Sequence, residues 1–129
     1  MMKKIILCLF LFFGFFAFSQ NTGIVDSAQV ILEKHTDFPG GINTFRKILL
    51  EKFRIKKIIS NKRSISCEAV FVVEKDGSIS NIKATGDNES FNKEIVRTIS
   101  KIKQKWIPAK YNGQIVRSRF RFPMKISFD

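Results

Sequence analysis

The chain is poor in the residues on which catalysis and metal binding most often depend. Its 129 residues include one histidine and two cysteines. A nucleophilic pair would need His35 within reach of Cys67, and the sequence offers no third group to orient such a pair. Clustered histidines, cysteines or paired carboxylates at the spacing of metal ligands are also lacking. We therefore expect a non-catalytic protein that holds no metal ion and no other cofactor.

The shortage of cysteine also excludes an internal disulfide in the folded domain. Cys8 lies inside an apolar N-terminal stretch, and Cys67 is the one cysteine that follows it. The domain must therefore be stabilised by its hydrophobic core. We interpret Cys67, at the start of a predicted strand, as a small buried apolar side chain rather than as a reactive thiol.

Acidic residues are few compared with basic ones. The chain has 11 aspartates and glutamates against 23 lysines and arginines, which gives a net charge of +12. Such an excess favours attraction to anionic surfaces, among them nucleic acid, lipid headgroups and acidic proteins. A solvated basic surface without a specific partner explains the charge equally well. Nucleic acid is not expected as a partner, because the N-terminal segment predicts export.

That N-terminal segment has the composition of a signal peptide. Lys3 and Lys4 precede an apolar stretch over residues 5–18, and Ala17-Phe18-Ser19 offers small residues at the positions that signal peptidase recognises. The stretch is shorter than the ~20 residues that span a bilayer. We therefore expect a signal peptide over residues 1–19, a lead-in over residues 20–37 and one domain over residues 38–129. The alternative is an uncleaved segment that anchors the protein in the inner membrane.

Apolar periodicity predicts two helices. The first covers residues 42–53, after a sharp turn at Pro39, Gly40 and Gly41. Its apolar stripe consists of Ile42, Phe45, Ile48, Leu49 and Phe53, and its outward face of Arg46, Lys47, Glu51 and Lys52. The second helix follows a cap at Asp87 or Asn88. Its apolar stripe consists of Phe91, Ile95, Val96, Ile99 and Ile102, and its outward face of Lys93, Glu94, Arg97 and Lys101.

Between the helices lies the strongest hairpin signal of the chain. An apolar run over residues 70–73 and the apolar residues Ile79 and Ile82 flank the turn Lys75-Asp76-Gly77-Ser78. The basic connector before the hairpin, residues 54–66, carries Ile58 and Ile59 as expected contacts to the core. In the lead-in, Val30, Ile31 and Leu32 fit a short strand or a helical turn, and the pattern does not decide between them.

The last segment predicts a long strand with one apolar and one cationic face. Alternate positions are taken by Val116, Phe120, Phe122, Met124, Ile126 and Phe128, and the positions between them by Arg117, Arg119, Arg121 and Lys125. Pro123 cannot donate to a ladder, which indicates a bend or a free edge on one side of this strand. The order helix, strand, strand, helix, strand predicts an α+β fold, with two helices on one face of a small antiparallel sheet of about three strands.

Several motifs occur together in a characteristic order over residues 38–128. They are Phe38-Pro39-Gly40-Gly41, the hairpin at residues 71–79, Lys93-Glu94-Ile95, Trp106-Ile107-Pro108-Ala109, Asn112-Gly113 and Phe122-Pro123. In these motifs the chain resembles the C-terminal domain of TonB-type energy transducers, in particular the branch whose domain opens with a Phe-Pro-Gly-Gly turn. Unlike those transducers, the sequence has no proline-rich spacer ahead of the domain, and we expect no transmembrane anchor.

The resemblance implies a periplasmic binding module. Domains of that family receive a short extended segment of an outer-membrane transporter, the TonB box, and pair with it at a sheet edge. Carried over to this sequence, the partner contacts fall on Gln114, Ile115, Val116, Arg117, Ser118, Arg119, Phe120 and Arg121. The arginines would attract an acidic flank of the partner or serve only as a solubilising face. The alternatives are a cationic envelope protein that binds anionic lipid or glycan through these arginines, and a homodimer through the same edge.

Overall fold

The computed structural model describes residues 25–26 and 32–128, which form two α-helices, one short 3-10 turn and six strands. In chain order these are β1 (Val25–Asp26), α1 (Ile42–Lys52), the 3-10 turn (Ile55–Lys57), β2 (Ser64–Val73), β3 (Ile79–Gly86), α2 (Glu89–Lys101), β4 (Ala109–Tyr111), β5 (Gln114–Val116) and β6 (Ser118–Ser127). The predicted signal peptide, and Val30 and Ile31 of the lead-in, lie outside the described residues.

Three long strands form an antiparallel sheet with β2 in the middle. β3 pairs with one side of β2. β6 pairs with the other side in an uninterrupted register that runs from Ser64 opposite Ser127 to Val73 opposite Ser118. β1 then adds to β6 in the parallel direction at Ser118 and Arg119, and β4 and β5 form a separate two-stranded sheet. The predicted α+β fold with a small antiparallel sheet is confirmed, whereas β1 and the β4–β5 pair were not predicted.

Both helices cover one face of this sheet. Every second side chain of β2 is buried on that face, namely Ile65, Cys67, Ala69, Phe71 and Val73. From α1, the ring of Phe45 lies 5.2 Å from that of Phe122 between centroids. From α2, Ile95 and Ile99 are fully buried in the same cluster. The apolar positions of the predicted strands therefore face the core, as expected, because side chains that alternate with a period of two lie on one face of the sheet.

The Phe-Pro-Gly-Gly turn begins α1 and places Phe38 in the core. Gly40 and Gly41 have φ angles of 86° and 90°, a region that glycine adopts without the steric cost of a side chain. The turn directs Phe38 inward, where its ring centroid lies 5.1 Å from that of Trp106. The predicted helix over residues 42–53 is confirmed to within one residue, since α1 ends at Lys52.

The predicted cap of the second helix is also confirmed. Asn88 precedes α2, and its side-chain oxygen accepts a hydrogen bond from the backbone N–H of Phe91 at 2.9 Å. Glu94, however, was wrongly placed on the solvent face of this helix. Its carboxylate is buried because Arg54, which follows α1, and Arg97, less than one helical turn further on, close over it. Helical periodicity does not reveal this burial, since Arg54 comes from another part of the chain.

Two further expectations are corrected by the structure. Ile58 packs against the core as predicted, but Ile59 points into solvent, because hydrogen bonds rather than apolar contacts hold its backbone. The last strand begins at Ser118 and not at Val116, because residues 114–116 pair with β4 instead. The lead-in contributes to the fold through Leu32, which is buried, and through backbone bridges from Lys34 to Lys110 and from Asp37 to Ile107.

Candidate partner-binding edge

The candidate site is the outer edge of β6, which we define as the side of residues 120–127 that faces away from β2. β2 satisfies the inner side of β6 along its whole length. On the other side, β1 pairs with Ser118 and Arg119. Within residues 25–26 and 32–128, no strand pairs with the remainder of that side. Such an edge presents backbone N–H and C=O groups that an added strand can bind.

Pro123 lies in the middle of the outer edge and indicates how the backbone groups are directed. The pairing with β2 continues without a shift through Pro123, which lies opposite Glu68. Because proline has no N–H and is found in sheets where its nitrogen faces an edge, its nitrogen is assigned to the outer side. Residues two apart along a strand point their N–H groups to the same side. The amides of Arg121 and Lys125 are therefore assigned to the outer edge as well.

The structure distributes the eight predicted contact residues over three environments. Gln114, Ile115 and Val116 lie in β5, where their backbone pairs with β4. Arg117 lies between β5 and β6. Ser118, Arg119, Phe120 and Arg121 belong to β6, and the first two of these lie beside β1. Only Phe120 and Arg121 fall within the outer edge, so most of this edge lies beyond the predicted residues.

Arg117 is committed to an ion pair within the domain. Its Nε donates to Oε1 of Glu74 at 2.6 Å, and its Nη2 donates to Oε2 of Glu74 at 3.3 Å. Ser80 also donates a hydrogen bond to Glu74. The hydrogen bonds from Arg117 and Ser80 lower the pKa of Glu74, and the bond to Glu74 raises the pKa of Arg117. The side chain of Arg117 therefore fixes the start of β6 rather than presenting a free charge.

The charged face of the sheet carries a second cross-strand pair. Arg121 lies 3.6 Å from the carboxylate of Glu68 on β2. Both side chains are about half exposed, so solvent screens the attraction. A cleft of about 480 Å³ lies across this part of the sheet and is lined by residues of all three long strands, among them Lys125 of β6, Ser66 of β2 and Thr85 of β3.

The described part of the chain holds no cluster of metal-ligating side chains. No group of three histidine, cysteine or carboxylate side chains is close enough to hold a metal ion within residues 25–26 and 32–128. Cys67 is buried, and this burial raises the pKa of its thiol to about 11, so the thiol stays protonated at neutral pH. His35 is exposed on the lead-in. Among these same residues, no helix is both long enough and apolar enough to cross a membrane.

Two features of the site were missed by the sequence analysis, and one had a usable signal. Asn112 and Gly113 have φ angles of 52° and 73°, which makes the β4–β5 connection a two-residue hairpin turn of the kind that Asn-Gly favours. The Asn112-Gly113 turn in the sequence indicates a hairpin, and such a hairpin separates residues 114–116 from the last strand. The short strand β1 has no comparable signal, because two residues carry no periodicity.

Comparison with known proteins adds no assignment. No model of a known protein family matches the chain, and no curated protein matches it.

Proposed function

We propose that this protein is an exported, non-catalytic binding module of the TonB C-terminal type, which takes up an extended peptide by strand addition at β6. The observation that carries the proposal is the outer edge of β6, for which the described residues supply no partner strand between residues 120 and 127. The pairing of β1 with Ser118 and Arg119, on the same side of β6, supports the addition of a further strand there. Strand addition requires these unpaired backbone groups and little else.

The proposed partner is the TonB-box-like segment of an outer-membrane transporter, in the periplasm. Support comes from the motif resemblance, from the predicted signal peptide and from the basic composition of the chain. The segment would lie along residues 120–127, with one backbone donor absent at Pro123. This position differs from the expectation of contacts over residues 114–121, because β5 and β1 already occupy most of those residues.

A homodimer through the same edge is the second candidate, and it follows from the same unpaired backbone groups. Two copies of β6 would form a continuous sheet across the dimer. The arginine face is a weaker candidate for binding anionic lipid or glycan than its sequence suggested. Arg117 and Arg121 are paired with Glu74 and Glu68, so part of their charge is already neutralised within the domain.

The test compares two substitutions at one exposed position of the outer edge. Lys125→Pro removes an N–H that we assign to the outer side, two residues from a proline that the strand already tolerates. Lys125→Gln removes the charge but keeps the N–H. The chain from Gln20 onward is used to capture fragments from an envelope extract, and a synthetic peptide of the captured transporter segment is then titrated by calorimetry.

We expect Lys125→Gln to bind like the parent and Lys125→Pro to bind about fivefold to tenfold more weakly, the effect of about one lost hydrogen bond. Circular dichroism and urea unfolding establish that both variants are folded. Slower hydrogen exchange at Arg121 and Lys125 on peptide addition would support the same site. If folded Lys125→Pro binds as tightly as the parent, the strand-addition proposal is wrong. Concentration-dependent dimerisation that only Lys125→Pro abolishes would favour the homodimer.

A further inference from the structure

The loop between α1 and β2, residues 53–63, combines cationic and exposed apolar side chains. We call it the basic loop. It contains five basic residues, Arg54, Lys56, Lys57, Lys62 and Arg63, and no acidic residue. It also carries the most exposed large apolar side chain recorded in the described part of the chain, Ile59, which is 81% exposed, and Ile55 is 49% exposed. Single exposed apolar residues are common on protein surfaces, but this short loop combines two of them with lysines on either side.

The backbone of the basic loop is held firmly, so the exposure of Ile59 is built into the fold. The N–H of Ile59 donates to Oγ of Ser90 at 2.9 Å, and the amide nitrogen of Asn88 donates to the carbonyl oxygen of Ile59 at 2.8 Å. At the start of the loop, the N–H of Arg54 donates to Glu94 at 2.9 Å. Ile58, the neighbouring residue, packs against the core. The loop is therefore attached at Arg54 and at Ile59 to α2 and to the cap of that helix.

Four of the five cations of the basic loop have no acidic partner among the described residues. Arg54 is bound to Glu94, and outside the loop Lys93, Lys105 and Arg117 form ion pairs. Across residues 25–26 and 32–128, no carboxylate lies within ion-pair distance of the four remaining loop cations, Lys56, Lys57, Lys62 and Arg63. Asp87 lines the same cleft as Ile59 and Lys62, but it forms no ion pair with Lys62.

We propose that the basic loop binds an anionic lipid surface. Ile55 and Ile59 enter the boundary between headgroups and acyl chains, while Lys56, Lys57, Lys62 and Arg63 contact the lipid phosphates. Apolar insertion and attraction between cations and anionic headgroups contribute together to interfacial binding. Two isoleucines are too small an anchor for a specific protein interface, which buries about 1,000 Å² or more. A single-stranded nucleic acid would be expected to stack on aromatic side chains, and the exposed apolar residues of the loop are aliphatic.

This inference is independent of strand addition at β6. The basic loop joins the sheet at the end of β6 that is remote from β1, where the N–H of Phe128 donates to the carbonyl oxygen of Arg63 at 2.7 Å. The lipid contacts of this proposal lie within residues 55–63 and share no residue with the outer edge. Loss of one activity by substitution therefore leaves the other measurable.

Vesicle co-sedimentation tests the proposal. The chain from Gln20 onward is used, because the apolar residues 5–18 would bind vesicles by themselves and every core contact described here lies within residues 25–128. Vesicles contain equal parts of phosphatidylglycerol and phosphatidylcholine, or phosphatidylcholine alone. Ile59→Ser removes an apolar contact, and the double variant Lys56→Gln/Lys57→Gln removes two cationic contacts. The controls are Leu50→Ser, an apolar side chain 57% exposed on α1, and Lys47→Gln/Lys101→Gln, which removes the same charge elsewhere.

We expect the parent to bind the anionic vesicles only. Ile59→Ser should bind them about tenfold more weakly, because it loses the apolar insertion. The double lysine variant should bind roughly 25-fold more weakly, since each lost cation weakens binding about fivefold. The two controls should bind like the parent. Salt should weaken binding of the parent, because screening shortens the reach of the cations. Equal losses in the control and loop variants would overturn the proposal in favour of general charge attraction. Failure of the parent to bind anionic vesicles at about 0.1 M salt would also overturn it.

Discussion

Glu94 connects three parts of the fold through one buried carboxylate. It accepts hydrogen bonds from the backbone N–H of Arg54 and from the guanidinium groups of Arg54 and Arg97, while the hydroxyl of Thr98 donates to the backbone carbonyl oxygen of Glu94 at 2.7 Å. Arg97 also donates to the carbonyl oxygen of Lys52, the last residue of α1, at 2.8 Å. The end of α1 and the start of the basic loop are thus attached to α2. Because Glu94 is nearly inaccessible to solvent, its charge depends on these donors.

Glu94→Gln should therefore destabilise the domain by about 2 kcal/mol. The substitution keeps the shape of the side chain but removes the charge that two arginines share. The loss is smaller than for a fully buried pair, because both arginines reach solvent and can be hydrated there. Urea unfolding followed by circular dichroism measures the change. The matched control is Glu89→Gln, whose exposed pair with Lys93 should contribute less than about 0.5 kcal/mol. Equal effects at the two positions would contradict the role of Glu94.

The same carboxylate gives the unfolding free energy a dependence on acid pH. Burial by itself would raise the pKa of Glu94, but the hydrogen bonds from Arg97 and Arg54 outweigh it and lower the pKa to about 2, from 4.5. A group whose pKa is lower in the folded state contributes stability above its unfolded pKa. The contribution of Glu94 is thus complete above pH 4.5 and is lost as the pH falls through about 2. The Glu94→Gln variant should show a flatter acid unfolding profile than the parent.

Glycine is needed at position 77 because the hairpin turn there lies directly against the backbone of Trp106, in the segment after α2. Its φ angle is 87°, and its carbonyl oxygen accepts a hydrogen bond from the N–H of Trp106 at 2.8 Å. A Cβ atom at this position would overlap the carbonyl oxygen of Trp106. We expect Gly77→Ala to cost more than about 3 kcal/mol, since backbone strain and a clash with backbone act together.

Gly113→Ala is the matched control for this substitution. Gly113 also has a positive φ, 73°, but no atom lies within 4 Å of the Cβ that an alanine would add there. Only the conformational cost of about 1 kcal/mol should remain. The difference between the two variants in urea unfolding isolates the contact between the hairpin turn and Trp106. If the two variants lose the same stability, that contact does not contribute.

β1 is an internal competitor for the edge at which we propose that the peptide binds. It pairs with Ser118 and Arg119, directly beside the outer edge. A chain that begins at Ser27 lacks β1 and exposes two more residues of β6. If the peptide extends over these residues, this shorter chain should bind the captured transporter segment about twofold to tenfold more tightly, since about one hydrogen bond no longer has to be displaced.

Calorimetric titration of the longer and the shorter chain with the same peptide measures this difference. Equal affinities would show that the peptide stops before Ser118. Weaker binding by the shorter chain would contradict competition and would instead make β1 part of the binding surface. Circular dichroism of the shorter chain checks that the antiparallel sheet is retained without β1.

The helices and the central hairpin could be predicted because their signals are local. The apolar stripes of α1 and α2, the cap at Asn88 and the Asp76-Gly77 turn each lie within a short stretch of sequence. The environment of Glu94 could not be predicted, since Arg54, one of its two arginine partners, lies 40 residues away along the chain. Exposed and buried glutamates look alike at a helical position when the covering residue comes from another element.

The candidate site could be predicted only in part. The phase of β6 follows from alternation, and the significance of Pro123 follows from its missing N–H; both are properties of the strand itself. The position of the open edge depends on which other strands are its neighbours. Alternation over residues 116–128 suggested one strand, but the Asn112-Gly113 turn pairs residues 114–116 with β4. β1 has no pattern of its own, and its pairing with Ser118 is visible only in the folded chain.

The molecule as a whole places its two proposed surfaces at different positions along β6. β1 lies at the Ser118 end, the outer edge extends from there, and the basic loop lies beyond Ser127. A domain bound to lipid through the loop would hold the outer edge close to the membrane surface. Since a TonB-box-like segment would be presented at a membrane, lipid binding would raise the local concentration of the module near such a partner.

Trp106 provides a spectroscopic report on the packing of the core. It is the only tryptophan of the chain and is 3% exposed. Its ring lies within 5.3 Å of the rings of Phe38, Phe45, Phe71 and Phe120, measured between centroids. These four come from the glycine-rich turn, α1, β2 and β6. The emission wavelength of this single fluorophore therefore reports whether the four segments are packed together, and no label needs to be introduced.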